Sequence, residues 1–200
     1  MKLQEEINTH TNNKELFNKE NFIFTRINKN DFELVFTMEN NNIFLSQIID
    51  FGLIQLIHKI NTDIYEKTHI QNISNDEINL SFLLKHFFKD VGFSQKFSFV
   101  NVKKIVEDDK ITFFTKTIYD ELPKQEMPIN SELLPIENMT SICNIITPHK
   151  INFLIKLKFR DTLYLPEFVE KMFGVIAYKI FKRLKQFIEN INNNSICSNN

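Results

Sequence analysis

The sequence predicts an α+β fold: an antiparallel or mixed sheet covered by a two-sided N-terminal helix and a long C-terminal helix. Three observations carry this expectation. Phe32–Met38 and Lys150–Arg160 alternate apolar and polar side chains with the period of two that a half-buried strand requires. Ile43–Ile60 is apolar nearly all round. From Pro166 onward, apolar residues recur at helical spacing as far as Ile191.

In chain order, Met1–Glu20 is polar, rich in Asn, Glu and Lys, and reads as a mobile extension. Asn21–Ile27 suits a hairpin neighbour of the strand Phe32–Met38. In that strand Phe32, Leu34, Phe36 and Met38 share one face, and Glu33, Val35 and Thr37 share the other. Glu39–Asn42 reads as a turn, with Asn40, Asn41 and Asn42 each able to cap the helix that follows.

That helix is the most informative early segment. Between Asn42 and His58 the polar side chains are only Ser46, Gln47, Asp50 and Gln55. A surface helix carries an apolar stripe about 100° wide. Here Leu45, Ile48, Ile49, Gly52, Leu53 and Leu56 cover one face, while Phe44, Phe51, Ile54 and Ile57 demand a second. The rod is therefore either a central core helix or one packed on its own sheet on one side and on a partner subunit on the other.

Asn61–Asn79 shows short alternation broken by Asn and Asp, and is ambiguous. Leu80–Val91 reads as a short helix ended by Gly92 at C′. Lys96–Val106 and Ile111–Ile118 form a hairpin turned by Glu107–Lys110, and Leu122–Ser131, with Pro123 and Pro128, is a loop. Ser141–Thr147 reads as a strand. In Lys150–Arg160 the residues Ile151, Phe153, Ile155, Leu157 and Phe159 oppose Lys150, Asn152, Lys156, Lys158 and Arg160, so one face is wet. Pro166 suits the first position of the last helix. Glu167 and Glu170 near its start, and Lys179, Lys182, Arg183 and Lys185 toward its end, match the helix dipole. Asn190–Asn200, with Cys197, is a polar tail.

Two hundred residues, 42% hydrophobic and 24% charged with a net charge of −1, suit one domain with a sizeable core. That balance excludes wholesale disorder and nucleic-acid binding through bulk positive charge. No apolar run reaches the roughly 18 residues of a membrane span, and the N-terminus is too polar for a signal peptide. Two cysteines cannot build a disulfide framework, so a reducing compartment is expected. The chain holds 25 Asn and 28 Ile but one Ala (Ala177), three Gly and three Arg. This is the signature of an A+T-rich genome, in which Asn and Lys are partly mutational filler.

Equipment for catalysis is missing from the pattern. Gly52, Gly92 and Gly174 stand singly, so there is no phosphate loop. His10, His58, His69, His86 and His149 have no metal-ligand spacing with each other or with Cys143 and Cys197. Asp108 and Asp109 fall in a hairpin turn, and no Ser sits in a nucleophile elbow. Cys143 reads as a small buried thiol in an apolar strand, and His149 as a structural or contact residue. The cluster Lys179, Lys182, Arg183 and Lys185 reads as a solvated face, with a phosphate- or partner-contacting stripe as the sharper alternative. No metal and no cofactor are expected. An interaction subunit or a cavity-type binding protein fits better than an enzyme acting alone.

The order helix, insert, strand, short turn and Pro-started terminal helix resembles the N-terminal domain of the RNA polymerase α subunit, plastid type, most clearly over Leu134–Asn190. Leu134-Pro135-Ile136-Glu137 resembles that family's P-I-D segment, and Phe153–Phe159 its L-x-L-E-I-x-T strand. Leu165-Pro166-Glu167-Phe168-Val169 resembles its P-x-E-A helix start, and Tyr178–Phe187 its L-x-x-x-F helix end. Where the family's first helix carries paired arginines, this chain has Asp50 and Phe51, so that contact does not carry over.

The resemblance implies a dimerisation subdomain (residues 21–66 and 132–191), a small inserted β-rich subdomain (67–131), a polar extension (1–20) and a polar tail (192–200). It further implies a homodimer paired through Leu45, Ile48, Ile49, Gly52, Leu53, Leu56, Ile176, Ile180 and Leu184. That dimer would scaffold the large catalytic RNA polymerase subunits, with DNA engaged only through the complex, no membrane, and a plastid-encoded gene. Two other readings stand beside it. A helix-grip fold would close a curved antiparallel sheet with the long C-terminal helix around a cavity for lipids or hydrophobic ligands. The last is a viral or structural interaction protein.

Overall fold

The computed structural model describes residues 13–87, 89–119, 130–163 and 165–191. Among them one sheet gathers β1 (Lys14–Lys19), β2 (Phe22–Asn28), β3 (Asp31–Glu39), β4 (Tyr65–Ser74), β5 (Glu77–Leu84), β6 (Gln95–Glu107), β7 (Lys110–Thr117), β8 (Ser131–Leu133), β9 (Ile136–Thr147) and β10 (Lys150–Phe159). Two helices, α1 (Phe51–Ile60) and α2 (Glu167–Glu189), complete it. The strand order is β1-β2-β3-β10-β9-β7-β6-β5-β4, with β8 alongside β6. The chain makes two hairpins, crosses to the far edge through α1, and meanders back until β10 lies antiparallel to β3. Every pairing is antiparallel except β6 with β8. Among the described residues no helix is long and apolar enough to cross a membrane.

Local chemistry accounts for the turns. Glu20 and Asn21 (φ 52° and 66°) close the β1–β2 hairpin in the left-handed region that suits tight hairpins. Asn30 (φ 59°), in the β2–β3 turn, is an Asn tolerating the same region. Its buried amide donates to the carbonyls of Arg160 (3.0 Å) and Leu163 (2.8 Å), tying this turn to the connection before α2. The alternation in β3 buries Phe32, Leu34, Phe36 and Met38, and that in β10 buries Ile151, Phe153, Ile155 and Phe159. Phe36 stacks on Phe153 across the two strands at 4.7 Å between centroids.

Several expectations are corrected. The first helix starts at Phe51, not Ile43, and no Asn caps it. Asp50 does: its Oδ1 accepts from the N–H groups of Gly52 (2.7 Å) and Leu53 (3.3 Å). The preceding residues hold only a short 3-10 turn, Leu45–Gln47, pinned where the Leu45 N–H donates to the Pro148 carbonyl at 2.7 Å. Leu80–Val91 is not a helix. A short apolar run fits either period, and cross-strand pairing decides for β5, followed by a 3-10 turn, Lys89–Val91, that ends at Gly92 with φ 80°.

Of the stretch expected as an inserted subdomain (67–131), β4 to β7 belong to the same sheet as the rest. Within the polar extension Lys14–Lys19 is strand β1. Residues 1–12, the loop with Pro123 and Pro128, and the tail with Cys197 lie outside the described residues.

Candidate functional site

Period-two geometry puts one continuous apolar face of the sheet toward the helices. Leu34, Ile155, Ser141 and Phe113 are successive partners across β3, β10, β9 and β7. One row along, Phe32, Leu157, Met139, Thr115 and Val102 repeat the arrangement. Above this floor α2 lays Phe173, Ile176, Ala177, Ile180, Phe181 and Leu184, and α1 lays Leu53, Ile54 and Ile57. The layers do not meet everywhere. A cavity of about 270 Å³ remains between them. An apolar cavity of roughly 150 Å³ suffices for benzene, so the space is large enough for a small apolar molecule.

The cavity wall is aliphatic and aromatic with few polar side chains: Asp50, His58, Tyr65, Thr115 and Ser141. The Asp50 carboxylate is engaged at the α1 cap. His58, Tyr65 and Phe82 cluster at the junction of α1 with β4 and β5, with His58–Tyr65 centroids 4.4 Å apart and Tyr65–Phe82 centroids 5.7 Å apart. Burial lowers the pKa of His58 and raises that of Tyr65. The Cys143 thiol, also on the wall, is pushed up to about 12 by burial, which leaves it protonated and unreactive. Among the described residues no group of three or more His, Cys, Asp or Glu is placed to hold a metal ion.

The lid over the cavity is braced at several points. Lys14 donates to Glu167 (2.5 Å) and Arg26 to Glu170 (2.8 Å), fixing the start of α2 to β1 and β2. Midway, Lys179 and Arg183 both engage Asp63 in the α1–β4 connection, and hydrogen bonds from these two cations hold the Asp63 carboxyl well below the usual range. The Lys182 ammonium meets Glu20, and Lys185 donates to the Thr37 carbonyl at 2.6 Å. At the far end the buried Asn40 amide donates to the carbonyls of Ile188 (2.6 Å) and Ile191 (3.0 Å), satisfying the orphan acceptors of a helix terminus. Gly174 lets α2 sit tight against β2: a Cβ there would stand 2.7 Å from Phe24 Cδ1.

The residues expected at a dimer interface are distributed within this one chain. Leu53, Ile176, Ile180 and Leu184 line the cavity. Leu45 and Ile49 are core residues, Ile48 and Leu56 pack against that core, and Gly52 is exposed. The second face of α1, with Ile54 and Ile57, is turned to the hollow rather than left bare. Lys179, Lys182, Arg183 and Lys185 are bound up in the bracing of the lid. Asp108 and Asp109 sit in the exposed β6–β7 turn, and His149 Nδ1 lies 2.8 Å from the Ile43 carbonyl. Sequence reasoning missed the wall residues of β5, namely Leu80, Phe82 and Leu84, along with the His58–Tyr65 pair. The alternation Ile78, Leu80, Phe82, Leu84 was the signal that could have found the former.

No family model and no curated protein matches the sequence. Solved structures do match the fold. The lipid transfer and protein localization domain of human StarD13 (DLC2) superposes with a TM-score of 0.66 at 8% identity, over 90% of each chain. Human StAR-related lipid transfer protein 5 gives 0.61 at 14% identity, over 92% of this chain and 90% of that one. A STAR-related lipid transfer protein fragment from Xanthomonas axonopodis gives 0.60 at 9% identity, over 88% and 97%. These likenesses overturn the resemblance to the RNA polymerase α subunit. With it go the polymerase subunits as partners, the role in transcription and the plastid association that rested on it. A wet-faced strand, a tight connection and a Pro-started helix are local patterns that do not by themselves fix the architecture around them. The chain shares its helix-grip fold with the StAR-related lipid-transfer domains.

Proposed function

We propose that this protein binds a hydrophobic, lipid-like molecule between α2 and the inner face of the sheet, and holds it away from water. The observation that carries this reading is the cavity of about 270 Å³ with a nearly unbroken aliphatic and aromatic wall. Well-packed interiors leave few voids larger than a water molecule, and an apolar void forfeits dispersion contacts that a ligand restores. Support also comes from the fold, since the neighbours named above are lipid-transfer proteins or domains. The chemistry required is burial rather than bond-making: each methylene taken from water contributes about 0.8 kcal/mol.

The test is a titration with the apolar fluorophore N-phenyl-1-naphthylamine, whose emission rises in a dry site. Wild type is expected to bind it saturably at one site. Ala177→Phe, which places a ring in the cavity from α2, should abolish the signal while leaving the circular dichroism unchanged. Absence of any saturable signal with folded wild-type protein overturns the proposal.

A further inference from the structure

One end of the cavity is chemically unlike the rest. His58, in the last turn of α1, and Tyr65, the first residue of β4, both line it, and their ring centroids lie 4.4 Å apart. Phe82 backs both rings, at 6.0 Å from His58 and 5.7 Å from Tyr65. Both side chains are partly buried, and the Tyr65 hydroxyl and the His58 imidazole are polar groups on an otherwise largely apolar wall.

The tautomer of His58 follows from its one hydrogen bond. Nδ1 lies 2.7 Å from the Ile54 carbonyl. A carbonyl can only accept, so Nδ1 carries the proton and donates. In the neutral ring Nε2 is then an acceptor, and burial favours the neutral ring. The pair therefore presents an acceptor beside a phenol that donates.

We infer that His58 and Tyr65 form the head-group subsite of the cavity and select a neutral amphiphile ending in a hydroxyl. A hydroxyl donates to His58 Nε2 and accepts from the Tyr65 O–H at once. A carboxylate offers two acceptors and no donor, so it faces the Nε2 lone pair unpaired and brings an unneutralised charge into an apolar wall. An alkane leaves both polar atoms unmet. The inference rests on the proposed ligand-binding role of the cavity.

The experiment measures displacement of N-phenyl-1-naphthylamine at pH 8 by 1-dodecanol, dodecanoate and dodecane, for wild type, Tyr65→Phe, His58→Phe and the double variant. Wild type should bind the alcohol at least tenfold more tightly than the carboxylate or the alkane. Either single variant should lose roughly fivefold to tenfold in alcohol affinity, the size of one hydrogen bond, with alkane affinity unchanged. The double variant should lose the preference altogether. Fluorophore binding with no preference for the alcohol overturns this inference and leaves the apolar cavity standing. A preference that survives in the double variant overturns it too. No fluorophore binding to folded wild type removes both readings.

Discussion

Arg26 on β2 donates to Glu170 in the first turns of α2 at 2.8 Å, and the Glu170 side chain is only 6% exposed. The pair joins β2, one strand in from the sheet edge, to the lid at the end where α2 begins. Glu170 also lies near the positive end of the helix dipole. Glu170→Ala strands the Arg26 charge in a partly buried place and should cost about 1–3 kcal/mol. Glu170→Gln keeps one acceptor and should recover part of that. Urea denaturation of the two variants measures both values.

Gly174 and Phe24 couple packing to the cavity. An added methyl at Gly174 collides with the Phe24 ring, and Phe24 is itself a wall residue. Ala is a better helix former than Gly by up to about 1 kcal/mol, but crowding a packed ring costs about 1–3 kcal/mol, so Gly174→Ala should lower the melting temperature by a few degrees. Its effect should fall on the ligand too: the displaced ring narrows the cavity, and fluorophore affinity should drop severalfold.

Asp63 makes the hold on α2 dependent on acid. Its folded pKa is depressed by Arg183 and Lys179. A depressed carboxylate stabilises the fold above its unfolded pKa, and that contribution is lost as the pH falls through the folded value. Asp63→Asn should therefore lower stability near neutrality by at most about 1 kcal/mol, since the pair is partly exposed. The gap between wild type and variant should close as the pH drops below the usual Asp value of about 4. Thermal melts from pH 7 down to pH 2 would show the two curves converging.

Chain length of the ligand offers a direct measure of the cavity. At about 0.8 kcal/mol per methylene, affinity for straight-chain alcohols should rise about fourfold per added carbon until the space is full, then level off. A flat series from hexanol onward would mean that the chain is not enclosed.

Elements whose burial pattern is local were legible in the residues. In β3 the alternation Phe32, Leu34, Phe36, Met38, in β10 Ile151, Phe153, Ile155, and along α2 the stripe through Ile176, Ile180 and Leu184 each identify their element without reference to any other. The second apolar face of α1 was equally visible, but apolarity does not say what covers it. Ile54 and Ile57 would read the same against a partner, a core or a hollow, and the fold chose the hollow. Asparagine misled in the opposite direction. Asn30, Asn40 and Asn61 stand in an Asn-rich chain where composition hides them, yet all three are buried and close turns or helix ends.

From the residues alone came an α+β chain, a wet-faced strand leading into a long terminal helix, and an apolar rod too greasy for an ordinary surface. Those are properties of periodicity, which each segment carries within itself. Only the tertiary structure decided that α1 crosses to the far edge, that β4 to β7 extend the sheet, and that His58 and Tyr65 meet at the rim of a cavity. The physical reason is that a void belongs to no segment: it is the space left when layers meet incompletely, and it is fixed by the strand order and the height at which Gly174, Asn40 and the ion pairs hold α2.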